Sequence, residues 1–124
     1  MHQRDALLLR RIREHIANNL HRPLSIATIC REFNTSKTTL QERFREYLGS
    51  SLHAYVLEGR MERARVLLIG TDDPVKYIAG QCGYQKVHSF NKAFRNKYLR
   101  SPGEYRKNFL AVKSDLNAVE SYTV

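Results

Sequence analysis

FRNKYLRSPGEY, residues 94–105, repeats an earlier stretch of the same chain, FREYLGSSLHAY at 44–55. Phe44/Phe94, Arg45/Arg95, Ser51/Ser101 and Tyr55/Tyr105 each stand fifty positions apart. The match extends backwards. Ile29-Cys30-x-x-Phe33-Asn34 aligns with Ile78-Ala79-x-x-Cys82-Gly83 at an offset of 49, and Leu40 with Phe90 at 50, so the second copy carries one extra residue in its turn. Each copy reads as a short helix, a tight turn at Asn34 or Gly83, a longer helix and a capped turn. That is the layout of a helix-turn-helix, whose second helix enters the DNA major groove.

The rest of the chain is helical in period as well. Leu9, Ile12, Ile16 and Leu20 recur at three- to four-residue steps, predicting a first amphipathic helix that ends before Pro23. Ser25 and Ser36 stand as caps of the next two helices, and Gly49 ends the third. Residues 51–69 read as one long helix. In TDDP (71–74), Asp73 is the expected cap and Pro74 the first helical position of a fifth helix. A sixth spans about 86–98, and Ser101-Pro102 opens a seventh. No alternating apolar/polar run is long enough to predict a strand. The expectation is an all-α chain of about seven helices. Subdomain one is 1–50, a linker helix covers 51–70, and subdomain two is 71–110; the polar tail, 111–124, is expected to fray from about Lys113.

Charge narrows the function. Lys plus Arg number 21 against 12 acidic residues, a formal +9. Such an excess on a small domain favours polyanionic partners. No apolar run approaches the ~20 residues that span a bilayer. Arg10 and Arg11 break the Leu7-Leu8-Leu9 run at once, so the start is not read as a signal peptide. Cys30 and Cys82 sit in apolar periodic segments without local CxxC spacing, as expected of reduced, buried thiols in a cytosol. No metal or other cofactor is implied. His15, His21, His53 and His88 are scattered, with no phosphate loop or nucleophile motif, and an enzyme is not expected.

Helix geometry selects the outward residues. With Leu40 and Phe44 inward, the third helix presents Thr38, Gln41, Glu42 and Arg45; with Phe90 and Phe94 inward, the sixth presents His88, Asn91, Lys92 and Arg95. Thr38, Gln41, Glu42, His88, Asn91 and Lys92 are candidates for base edges: Gln and Asn suit adenine, Lys suits guanine, and Glu accepts from cytosine. Arg45 and Arg95, far along their helices, and Lys37 and Lys86, at the starts, are candidates for phosphates. Between Lys86 and Lys107 seven basic residues face only Glu104, whereas 36–48 sets Lys37, Arg43 and Arg45 against Glu42 and Glu46. The second unit is therefore expected to supply more of the nonspecific attraction.

The segments LSIATICREFNTSKTTLQERFREYLGSS, RMERARVLL and VKYIAGQCGY…FNKAFRNKY…SPGEYR resemble the DNA-binding region of the AraC/XylS family of bacterial transcription regulators, over about residues 5–107. The resemblance implies two helix-turn-helix units on a long connecting helix, with double-stranded promoter DNA and RNA polymerase as partners, in a nucleoid-associated, cytoplasmic protein. Three positions depart from the family pattern. Asn34 replaces the turn glycine, Val87-His88-Ser89 replaces smaller polar residues, and Leu99 stands where glycine usually follows the second recognition helix, so that helix is open to a different ending.

The connecting helix, at roughly 1.5 Å per residue, is about 28 Å long. Major-groove sites on one face of straight DNA recur every ~34 Å. Either the DNA bends, at on the order of 1–6 kcal/mol, or one unit engages incompletely. The rival reading is a protein-interaction module using Glu58, Glu62 or the first helix. RNA is disfavoured because the aromatic residues fall on core stripes. Operator sequence, activation or repression, inducer and oligomeric state are left open by the residues, as is the choice between a stand-alone regulator and the C-terminal piece of a longer one.

Overall fold

The computed structural model describes residues 3–121, and within them the chain forms seven helices and no strand. These are α1 (Gln3–Asn18), α2 (Ile26–Glu32), α3 (Lys37–Leu48), α4 (Leu52–Gly70), α5 (Val75–Gln81), α6 (Val87–Tyr98) and α7 (Pro102–Ser121). They divide into two compact units, Met1–Arg60 and Met61–Val124.

The boundary falls inside α4, so the long helix is more than a connector. Leu52 and Val56, from its first half, are buried in the first core with Leu9, Ile12, Ile16, Leu20, Ile29, Leu40 and Phe44. Met61, Ala64 and Leu68, from its second half, are buried in the other core with Ile78, Ala79, Cys82, Phe90 and Phe94. The duplication thus begins one helix earlier than the sequence suggests. Leu9, Ile12 and Ile16 of α1 occupy the places that Met61, Ala64 and Leu68 of α4 take in the second unit, at an offset of 52. Each unit is a scaffold helix, two helix-turn-helix helices, and the start of the helix that follows.

Two expectations are corrected. α5 begins at Val75 with Pro74 as its N-cap residue and no side-chain cap bond; Asp73 instead makes a turn contact, its backbone N–H donating to Thr71 Oγ1 at 3.3 Å. The tail does not fray at Lys113: α7 continues to Ser121. Lys113 onward is polar in composition but keeps apolar residues at helical spacing, which is enough to continue a helix already started.

Candidate nucleic-acid interface

The turns that lead into α3 and α6 close in the same way. In the first turn Thr35 N–H donates to Cys30 O at 3.0 Å; in the second Tyr84 N–H donates to Ala79 O at 3.0 Å. This six-residue closure needs a left-handed residue just before it. Asn34 (φ 51°) and Gly83 (φ 85°) supply it, so asparagine serves here in place of glycine. Ser36 Oγ accepts from Thr39 N–H at 3.1 Å and starts α3. α6 has Lys86 as its N-cap residue and no side-chain cap bond.

At the other end, Gly49 and Leu99 hold equivalent left-handed positions, with φ 72° and 63°, and their N–H groups donate to Arg45 O and Arg95 O. α6 therefore ends as α3 does, despite the leucine. The residues shared by 44–55 and 94–105 also resolve into roles. Phe44 and Phe94 are buried. Tyr55 meets Phe44 edge-on at 5.6 Å, and Tyr105 meets Phe94 edge-on at 5.4 Å. Ser51 Oγ accepts from Ala54 N–H and Ser101 Oγ from Glu104 N–H, capping α4 and α7. Glu104 accepts in return from Ser101 N–H at 3.4 Å, completing a reciprocal cap in the second copy alone.

All ten sequence-derived candidates, Lys37, Thr38, Gln41, Glu42, Arg45, Lys86, His88, Asn91, Lys92 and Arg95, are exposed. A recess of about 310 Å³ in the first unit gathers Gln41, Glu42, Arg45, Ser51 and His53. Its counterpart in the second, about 530 Å³, gathers His88, Asn91, Lys92, Arg95 and Ser101. Gln41/Asn91, Glu42/Lys92, Arg45/Arg95 and Ser51/Ser101 are repeat mates, so one concave surface has been built twice. Lys37, Thr38 and Lys86 line neither recess. His53 is not among the sequence-derived candidates; its place two residues after the Ser51 cap is the signal that points to it.

Polar contacts tie the helices of each unit together. Arg13 Nε donates to Tyr55 Oη at 3.1 Å, and Arg65, its mate at offset 52, hydrogen-bonds Tyr105. Arg65 also holds Glu62 through two bonds at 2.7 and 3.1 Å, which keep the Glu62 carboxyl below its ordinary range. Arg43 ties α3 to α1 through Asp5 at 3.2 Å. Burial, followed by the negative charges of Glu46 and Asp5, pushes the Tyr47 phenol up. Arg106 anchors α7 to the end of α4, donating to Leu68 O at 2.9 Å and Thr71 O at 3.3 Å.

Comparison with known proteins agrees with this geometry. A helix-turn-helix domain family matches residues 29–108. The xylose operon regulatory protein of Escherichia coli is 30% identical over 92 residues, 74% of this chain. This chain spans about a quarter of that relative's length, 24%. The multiple antibiotic resistance protein MarA of Salmonella typhimurium is 28% identical over 82% of this chain and 80% of its own. The C-terminal domain of AraT, a response regulator from Geobacillus stearothermophilus, superimposes with a TM-score of 0.79 at 30% identity, covering 82% of this chain and 84% of that one. The DNA-binding domain of AdpA, a global transcriptional factor solved in complex with a target DNA, gives 0.77 at 27% identity over 89% and 96%. With the duplicated motif, the shared fold and a family match over most of its length, the chain belongs to the AraC/XylS family of helix-turn-helix proteins.

Proposed function

We propose that this chain is a sequence-specific DNA-binding transcription regulator that sets α3 and α6 into successive major grooves of promoter DNA. The observation that carries the reading is the doubled recess: a concave surface with polar side chains recurs at the same positions of two units, basic in the second and balanced by Glu42 in the first. Gln41, Glu42, Asn91, Lys92, His88 and Thr38 read base edges. Arg45 and Arg95 contact phosphates, and each borders the recess of its own unit. Lys37 and Lys86 add phosphate contacts at the helix starts. The AdpA domain, solved with its target DNA, has the same fold and supports the reading.

Selection of bound sites from random double-stranded DNA, followed by footprinting, tests it. The expected product is a bipartite site whose halves lie one helical turn apart, about 10 base pairs. A footprint confined to a single turn refutes simultaneous engagement, and failure to enrich any sequence refutes specific recognition. The protein acts in the bacterial cytoplasm, and RNA polymerase is its second partner on the promoter. The rival reading, polymerase binding without DNA through Glu58 and Glu62, loses ground because Glu62 is already committed to Arg65.

A further inference from the structure

Each residue that lines the recess of the first unit has its repeat mate in the recess of the second. Most pairs keep their chemistry: Gln41 answers to Asn91, Arg45 to Arg95 and Ser51 to Ser101. Two pairs do not. Glu42 stands where the second recess has Lys92, and His53 stands where it has Gly103.

The first exchange turns a cation into an anion, and the second adds an imidazole where the other unit has no side chain. Space follows the same exchange: the recess with His53 encloses about 310 Å³ and the recess with Gly103 about 530 Å³. So does charge. Lys92 and Arg95 keep the second recess positive throughout the neutral range, whereas in the first Glu42 and Arg45 cancel and the balance rests on His53. Histidine is the one side chain that ordinarily changes charge between about pH 5 and 8. His88 titrates in the second recess too, but there it adds to two fixed cations and does not set the sign.

The charged neighbours of His53 are few. α3 brings Glu42 and Arg45 to the recess, α2 brings Ile26, and the other lining residues carry no charge. Among the described residues, Glu42, Arg45 and His53 form no ion pair with one another. His53 is exposed, and it stands on α4, outside the helix that enters the groove. A side chain so placed, in one recess with the phosphate candidate Arg45, meets the backbone of the duplex before its base edges.

We infer that His53 is a phosphate contact of the first unit, made in its protonated state, so that engaging the first half-site takes up a proton from solvent at this imidazole. The inference rests on the DNA reading above and adds to it a residue and a proton. A phosphate beside the ring favours the charged form. Binding therefore tightens as pH falls through the imidazole range and loses this contact as pH rises through it.

The duplex selected from random DNA, bound over a series of salt concentrations at about pH 6 and about pH 8, tests it. The wild-type slope of log affinity against log salt is expected to be steeper at the lower pH. His53→Gln removes up to about 0.9 of that slope at the lower pH and much less at the higher. His88 is present in both chains, so its own response drops out of the comparison. His53→Lys, charged at both pH values, matches wild type at the lower pH and exceeds its slope at the higher. Position 53 is exposed, so both variants keep the helical circular dichroism. A pH response that His53→Gln leaves untouched overturns this inference alone. So does a loss equal at both pH values, a loss confined to one base pair of the site, or a His53→Lys chain no steeper than wild type at the higher pH. A wild-type chain that enriches no sequence overturns the DNA reading as well.

Discussion

Leu99 is the residue at which sequence and structure pull hardest against each other. It holds φ 63° at the end of α6 and its side chain is 83% exposed, so no burial offsets the strain of a left-handed leucine. A non-glycine side chain in that region costs about 1–2 kcal/mol, while glycine gives back part of the gain through the greater freedom of its unfolded chain. Leu99→Gly is therefore expected to stabilise the second unit by about 0.5–1 kcal/mol, read as a rise in its urea or thermal midpoint. Asn34→Gly should do less, since asparagine tolerates φ 51° through its short polar side chain. Asn91→Ala is expected to cost about 1–3 kcal/mol on the selected site and to relax preference at one base pair. Arg95→Ala should weaken binding to all sequences alike and lower the salt slope by about 1; a loss confined to one sequence would move Arg95 from phosphate to base. The outward set is legible in the sequence because Leu40/Phe44 and Phe90/Phe94 leave a helix only one opposite face. His53 escapes because it lies on the next helix and reaches the recess only through the fold.

The helices themselves are legible wherever their ends carry chemistry: Ser25, Ser36 and Gly49 bound α2 and α3 as their types suggest. Where the end rests on backbone alone the expectation misses, as at Asp73, next to a proline that takes the cap position itself. α4 reads as a plain connector because its apolar residues fall on no single stripe; only the two cores show that each half answers to a different one. α7 reads as short because polar residues separate Leu116 and Val119, and their period emerges only once the helix is counted from Pro102. Arg65 clasps Glu62 within α4. With the Glu62 carboxyl held below its unfolded range by Arg65, the unfolded chain binds the extra proton first as pH falls. The stability from this pair is thus complete above the ordinary carboxylate range and is lost as pH falls through the depressed value. Glu62→Gln should flatten the acid limb of a stability–pH profile for the second unit and leave the neutral-to-alkaline limb parallel to wild type. The effect is small, since the carboxylate is more than half exposed to solvent; an unchanged acid limb would assign the acid sensitivity elsewhere.

At the scale of the whole chain the question is whether two units act as one reader. With about 6–8 phosphates neutralised together, the logarithm of affinity should fall against that of salt with a slope near −5 to −7. Charge is not shared equally: the first recess holds Glu42 where the second holds Lys92. Glu42→Ala is expected to tighten nonspecific binding while relaxing the preference of the first half-site; weaker binding to every sequence would exclude repulsion at this position. Cooperation between the units has its own test, which the division of α4 makes available. Leu52 and Val56 belong to one core and Met61, Ala64 and Leu68 to the other, so residues inserted between Arg60 and Met61 leave the core partners of each unit in place. A single inserted alanine turns everything after it by about 100° and moves it by about 1.5 Å along the helix axis. Both units should stay folded, with unchanged helical content and a preserved unfolding transition. Affinity for the bipartite site should nevertheless fall towards that of a half-site, and the salt slope should shrink in proportion to the phosphates no longer neutralised. An insertion mutant that binds the full site as wild type does would mean that the joint is not what registers the two helices, and that each unit finds its groove alone.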